Sequence, residues 1–167
     1  MSPELGPVHV RAARLAEAQA IAELNNRFAD AALMLPRTPE MVAIAIEDYV
    51  VAVTPRGAVV GCGSLKEYSP SLAEIAAIAV AADAHGRGLG RQIVAAVEGL
   101  ARKRGIVDVF ALTLQPGFFE ALGYQRTDRT NYPEKIRRDC VGCARRAACA
   151  EACLAKRLDA DVLEAAA

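Results

Sequence analysis

The sequence has no surplus of either charge: 20 lysines and arginines stand against 20 aspartates and glutamates in 167 residues. Such a balance gives no global attraction to nucleic acid or to an anionic membrane surface. Long apolar runs are missing too. The longest, Ile75 to Ala82, falls far short of the roughly 18 residues that cross a bilayer. The opening stretch, Met1 to Val10, lacks a basic region followed by an apolar one, so no export signal is visible. These absences predict a cytoplasmic protein with neither nucleic acid nor membrane as partner. Internal repeats and low-complexity tracts are also absent, and the length suits a single globular chain. Apolar bulk is scarcer than the 53% hydrophobic content suggests, because alanine supplies 35 residues. Shape should therefore matter as much as bulk in the core.

What is present alternates strand and helix signals. Val8, Val10 and Ala12 follow a period of two and read as a first strand. From Leu15 the apolar positions Ala18, Ile21, Ala22 and Leu24 step by three or four until Asn25 and Asn26 weaken the pattern. Ala31 to Pro39 reads as a loop. Thr38 then caps a helix with Pro39 at its first position and Met41, Ile44 and Ile46 on its inner face. Tyr49–Thr54 and Ala58–Leu65 read as a hairpin across Pro55, Arg56 and Gly57. Glu74–Val80 is a near-continuous apolar run, the pattern of a strand covered on both faces. A glycine loop follows it, and then a helix on Leu89, Ile93, Val97, Leu100 and Ala101 that Gly105 terminates. Val107–Leu114, a short helix at Phe118–Leu122 and a last strand near Gln125–Thr127 complete an α/β (α+β) pattern.

The loop reads His85, Gly86, Arg87, Gly88, Leu89, Gly90, with Arg91 next. Glycines at alternate positions ahead of a helix let successive backbone amides converge on one spot, and the helix terminus adds positive potential. That is the chemistry of a phosphate cradle. A P-loop would need Lys and then Ser or Thr where Arg91 and Gln92 stand, and the dinucleotide fingerprint needs a different glycine spacing.

Five cysteines are present, four of them at Cys140, Cys143, Cys149 and Cys153. In a chain without an export signal they argue for thiols or a metal before disulfides. Two readings stay open. The four thiolates have spacings that suit Zn or an iron–sulfur cluster, and an alanine-rich helix would equally place Cys149 and Cys153 one turn apart as small buried side chains. Arg137, Arg138, Arg145 and Arg146 are partly offset by Glu134, Asp139 and Glu151, which favours a solvated or phosphate-facing surface over a nucleic-acid site.

The glycine loop and the order of elements resemble the GNAT superfamily of N-acetyltransferases, over roughly Val8 to Thr130. A narrower resemblance, to the short amino-acid N-acetyltransferases that make N-acetylglutamate for arginine biosynthesis, rests on several segments. They are LeuProArgThr at 35–38, AlaGluIle at 73–75, ProGlyPhePheGluAlaLeuGlyTyr at 116–124, and TyrProGluLysIleArgArgAspCys at 132–140. The resemblance implies a GNAT fold over residues 1–130, a mixed sheet flanked by helices, with residues 131–167 a Cys-rich cap packed on it. It implies acetyl-CoA as co-substrate, held by backbone groups of Ile78, Ala79 and Val80 and of His85, Gly86, Arg87, Gly88, Leu89, Gly90 and Arg91. It implies Glu74 as general base, and Phe118 and Phe119 as apolar walls, Phe119 standing where many relatives place a tyrosine acid. Arg37 is the candidate for the carboxylate of an amino-acid acceptor, glutamate first, with Lys66 and Lys135 behind it. Another small amine or peptide as acceptor, a silent acyl-CoA sensor and a homodimer are the alternatives the sequence leaves open.

Overall fold

The computed structural model describes residues 5–31, 33–143 and 149–159. Among these residues the strands are β1 (His9–Ala12), β2 (Tyr49–Val53), β3 (Val59–Ser69), β4 (Leu72–Val80), β5 (Asp108–Thr113), β6 (Gln125–Thr127) and β7 (Ala152–Arg157). They form a seven-stranded sheet in the order β1-β2-β3-β4-β5-β7-β6. The β4–β5 pair is parallel, whereas β1–β2, β2–β3, β5–β7 and β6–β7 are antiparallel. The helices are α1 (Ala18–Asp30), α2 (Pro39–Ile44), α3 (Leu89–Lys103), α4 (Pro116–Glu120) and α5 (Pro133–Lys135), the last continuing into a π-helical turn, Ile136–Cys140. This is the mixed sheet with helices that the alternating pattern predicts. Two compact units divide the chain, one of Met1–Leu65 with Ile75–Leu100 and one of Lys66–Glu74 with Ala101–Ala167.

In the first unit every residue of β2 is buried. Gly61 and Gly63 on β3 are the points that admit α3. A Cβ on Gly63 would lie 2.6 Å from both Ile78 Cδ1 and Ile93 Cγ2, and one on Gly61 would lie 2.7 Å from Ile93 Cδ1. Only glycine leaves room for these branched side chains. Helix α1 runs through Asn25 and Asn26 instead of fading there, because both amides clamp the loop beyond it. Asn25 Nδ2 donates to the Leu35 carbonyl at 2.9 Å, and Asn26 bonds both the N–H and the carbonyl of Arg37, at 2.9 and 2.8 Å. Thr38 caps α2 as expected, its hydroxyl accepting from Met41 N. The expected inner face of α2 is corrected: Val42 is fully buried, while Met41 is 52% and Ile44 90% exposed. Six residues make less than two turns, so one position suffices to dock the helix. Leu15 is exposed as well, in a 3-10 turn (Leu15–Glu17) ahead of α1.

In the second unit, β4 meets β5 only over Leu72–Glu74, opposite Asp108–Phe110. Phe110 is the centre of an aromatic cluster, stacked on Tyr132 at 4.2 Å and tilted against Tyr68 at 5.7 Å. The tail corrects the helical reading of the last cysteines. Residues 152–157 form β7, paired with all of β5 on one side and with β6 on the other, and Cys153 is buried in that strand. Residues beyond 130 thus supply a strand of the sheet as well as the turn that precedes it. Arg145 and Arg146, and the stretch after Asp159, lie outside the described residues.

The contact at Gly63 makes a stability prediction. Gly63→Ala forces its methyl into Ile78 and Ile93 and should cost about 1–3 kcal/mol. Gly99→Ala, a site in α3 where an added Cβ meets nothing within 4 Å, should instead stabilise by roughly 0.5–1 kcal/mol. Urea unfolding of the two variants checks both signs.

Candidate functional site

The glycine loop has the backbone of an anion cradle. Gly86 and Gly88 take φ of +78° and +74°, a conformation that L side chains rarely adopt. A Cβ on either would meet nothing within 4 Å, so the chain itself leaves the space above them open. Gln92 is the first amide of α3 bonded to a carbonyl four residues back, on Gly88 at 3.2 Å. Among the described residues the amides from Gly86 to Arg91 have no backbone acceptor, and they stand at the positive end of a 15-residue helix. Such donors suit an anion. The His85 ring is spent elsewhere: Nε2 donates to the Val80 carbonyl at 2.8 Å, tying the loop to the end of β4. Arg87 Nη2 donates to the Gly6 carbonyl at 2.7 Å.

Just before Ile78, Ala79 and Val80, the strand breaks its regularity. Ala77 has φ +53°, the single non-glycine residue with positive φ among those described. The carbonyls of Ala76 and Ala77 accept from Ser64 Oγ at 3.3 Å and from Cys62 Sγ at 3.5 Å. Those bonds from β3 hold a conformation that costs an alanine of order 1–2 kcal/mol. Burial pushes the Cys62 thiol up to about 12, so it stays protonated and able to donate. No sequence signal marks this kink.

Arg37 is half-buried in the loop between α1 and α2, with its backbone clamped by Asn26. Its Nη1 donates to the buried Tyr49 hydroxyl at 3.0 Å, which fixes the plane of a guanidinium whose other N–H groups suit a carboxylate.

Glu74 lies in the second unit, at the end of the β4–β5 ladder, and only 6% of it is exposed. It is therefore not a solvated strand-end carboxylate. Its Oε2 accepts from Lys135 Nζ at 2.9 Å and lies 2.9 Å from the Tyr68 hydroxyl oxygen. That oxygen also makes a very short contact with Asp139 Oδ2. Lys66 Nζ bonds both oxygens of Asp139, at 2.8 and 2.7 Å, and Lys135 reaches Oδ2 at 3.0 Å. Burial alone would raise the Asp139 carboxyl, yet hydrogen bonds from Lys66, Tyr68 and Lys135 hold it well below the usual carboxylate range. Burial, followed by the negative charge of Glu74 and the bonding to Asp139, pushes the Tyr68 phenol far up. For Lys135, burial works against the charge, but Glu74 and Asp139 outweigh it and raise the ammonium. Two lysines and two carboxylates thus form one neutral cluster around a tyrosine hydroxyl. Sequence reasoning reached Glu74 and, as acceptor candidates, Lys66 and Lys135. It missed Tyr68 and Asp139, which are separated by 71 positions.

Phe119 is buried edge-on between Phe118 and Tyr124, at centroid distances of 5.1 and 5.2 Å; Phe118 is the more open of the pair. Among the described residues no group of three or more His, Cys, Asp and Glu side chains gathers to hold a metal ion. Cys149 Sγ accepts from Arg129 Nη1 at 3.4 Å, and burial pushes the Cys153 thiol up to about 11. The Zn or iron–sulfur reading of Cys140, Cys143, Cys149 and Cys153 has no assembled ligand set there.

Comparison with known proteins follows the same line. A model of the acetyltransferase (GNAT) family matches residues 18–124. An uncharacterized N-acetyltransferase of Chlorobaculum tepidum is 39% identical over 89% of this chain and 96% of that protein. An amino-acid acetyltransferase of Mycobacterium tuberculosis is 32% identical over 72% of this chain and 70% of its own length. The structure of N-acetylglutamate synthase from Neisseria gonorrhoeae, complexed with coenzyme A and N-acetyl-glutamate, aligns with a TM-score of 0.81 at 26% identity. That alignment covers 92% of this chain and 36% of the Neisseria chain.

The lysine-bound carboxylate ties stability to pH. Asp139 is depressed in the folded state, so its contribution is present above the unfolded value, about 3.9, and is lost as pH falls through the folded one. Asp139→Asn should therefore melt lower than wild type at pH 6, and the gap should narrow toward pH 2. Thermal melts across that range check the convergence.

Proposed function

The chain belongs to the GNAT family of acetyltransferases, and from that premise we propose that it acetylates the α-amine of an amino acid, L-glutamate. The enzyme is an acetyl-CoA-dependent N-acetyltransferase. The observation that carries the acceptor reading is the clamped, half-buried Arg37, a guanidinium in the proline-flanked loop with donors left for a carboxylate. The relatives that are amino-acid acetyltransferases support it. N-acetylglutamate formed this way would serve arginine biosynthesis in the cytoplasm.

Bound acetyl-CoA supplies an activated thioester carbonyl. The chain's own groups do the rest. Amides from Gly86 to Arg91 hold the pyrophosphate, and those of Ile78 to Val80, beyond the kink at Ala77, carry the pantetheine and the thioester oxygen. Arg37 pairs with a carboxylate of the acceptor. Glu74 takes a proton from the acceptor's ammonium, directly or through a water, leaving the neutral amine that attacks. The buried Phe119 offers no hydroxyl to the departing sulfur. A thiol with an ordinary pKa near 8.5 leaves adequately without one.

A thiol-release assay over the twenty amino acids tests the acceptor. L-glutamate should support turnover, and release of coenzyme A with only a peptide or polyamine would sink the amino-acid reading while sparing the family. Arg37→Ala should raise KM for glutamate by about tenfold or more, the loss of one charge-assisted pair, with KM for acetyl-CoA unmoved. Glu74→Gln should lower kcat without weakening acetyl-CoA binding, and its residual rate should climb with pH as free amine accumulates. An unchanged kcat at neutral pH would remove Glu74 from the mechanism.

A further inference from the structure

Tyr68 has one hydroxyl hydrogen and two carboxylates to receive it. Its oxygen lies 2.9 Å from Glu74 Oε2 and closer still to Asp139 Oδ2. An ionised carboxylate only accepts, so with both ionised one of these contacts sets acceptor against acceptor. A proton on Glu74 repairs this: Glu74 then donates to the Tyr68 oxygen while Tyr68 donates to Asp139, and every contact is a hydrogen bond. The cations weight the two ends unequally. Asp139 is bonded by Lys66 through both oxygens and by Lys135, whereas Glu74 has Lys135 alone. The Arg138 guanidinium lies 4.8 Å from the Tyr68 ring centroid, and Cys153 faces the cluster from β7 as a neutral thiol. Positive charge thus concentrates at the Asp139 end, which is also the more open: its side chain is 24% exposed against 7% for Glu74.

We propose that Tyr68 is a positioning residue that hands the proton collected by Glu74 to Asp139, and so to water. This rests on Glu74 as the base. In the first step an N–H bond of the acceptor's ammonium breaks and an O–H bond forms on Glu74. Glu74 then gives that proton to the Tyr68 oxygen as the hydroxyl's own proton passes to Asp139, which the lysines keep a weak base, so that it holds the proton only in passing and releases it to solvent. Both carboxylates end ionised and Tyr68 ends protonated. One proton leaves per turnover, as the conversion of an ammonium and a thioester into an amide and a thiol requires. The phenol never ionises, in keeping with the burial and the carboxylates that hold it far above its ordinary range.

Tyr68→Phe keeps the ring against Phe110 and removes only the hydroxyl. With the amino acid that supports turnover, kcat should fall by about tenfold or more, while both KM values stay within about twofold. The rate should also become dependent on imidazole concentration, because a diffusing base must now empty Glu74; the wild-type rate should not. Asp139→Asn, which removes the receiving end, should show the same imidazole dependence and guards against a folding defect in the first variant. Thermal melting of each variant places the assay below its transition. A Tyr68→Phe enzyme with wild-type kcat, or one slowed without any imidazole response, overturns the relay. Glu74→Gln separates the two ideas: if it is slow while Tyr68→Phe is fast, the base stands and the relay falls, and if it is fast, the base reading itself fails.

Discussion

Helix α3 can lie where it does because β3 has no side chains at Gly61 and Gly63. Ile93 fills that space and is fully buried, with Val94 and Val97 beside it. The start of the helix is thereby fixed against the sheet, and so is the end of the loop that leads into it. The other end is fixed by the His85–Val80 bond. Between the two anchors the chain has few residues in which to turn, and Gly86 and Gly88 turn it through left-handed conformations. The amides left over are a consequence of this geometry, and they are the donors that the proposed pyrophosphate site would use. A side chain at Gly63 would therefore act on the cradle without touching it.

The parts legible in the sequence are those whose cause is local. Glycine spacing, an unbroken apolar strand and a 3.6-residue period each declare themselves within a dozen residues, and strand, loop and helix all formed where those signals place them. The kink at Ala77 was illegible, since nothing in alanine marks a positive φ; the strain is held by Ser64 and Cys62 on the neighbouring strand. Strand β7 was illegible for another reason. Its Cys153 and Leu154 are buried in succession, without the alternation that marks a one-faced strand, and the Cys149–Cys153 spacing imitates a helical turn. The partners of Glu74 were hidden by distance along the chain. Lys66 and Asp139 are separated by 73 positions, and no local pattern couples them.

The charged cluster is an expensive way to stabilise a fold. Glu74 and Lys135 are its buried pair, and taking such ions from water costs several kcal/mol each before their attraction returns any of it; well-packed apolar residues of similar volume commonly do as well or better. The second unit already has such packing next to the cluster, in Phe110, Tyr132 and the ring of Tyr68. A structural ion pair would also need only Glu74 and Lys135. It would need neither a second carboxylate nor a hydroxyl that contacts both. The surplus groups make chemical sense when the number of protons in the cluster changes during the enzyme's work: the lysines hold the charge steady, the hydroxyl connects the two oxygens, and the more exposed carboxylate opens to solvent. In the relay proposed above these charges serve proton traffic, and the fold around them bears their cost in stability.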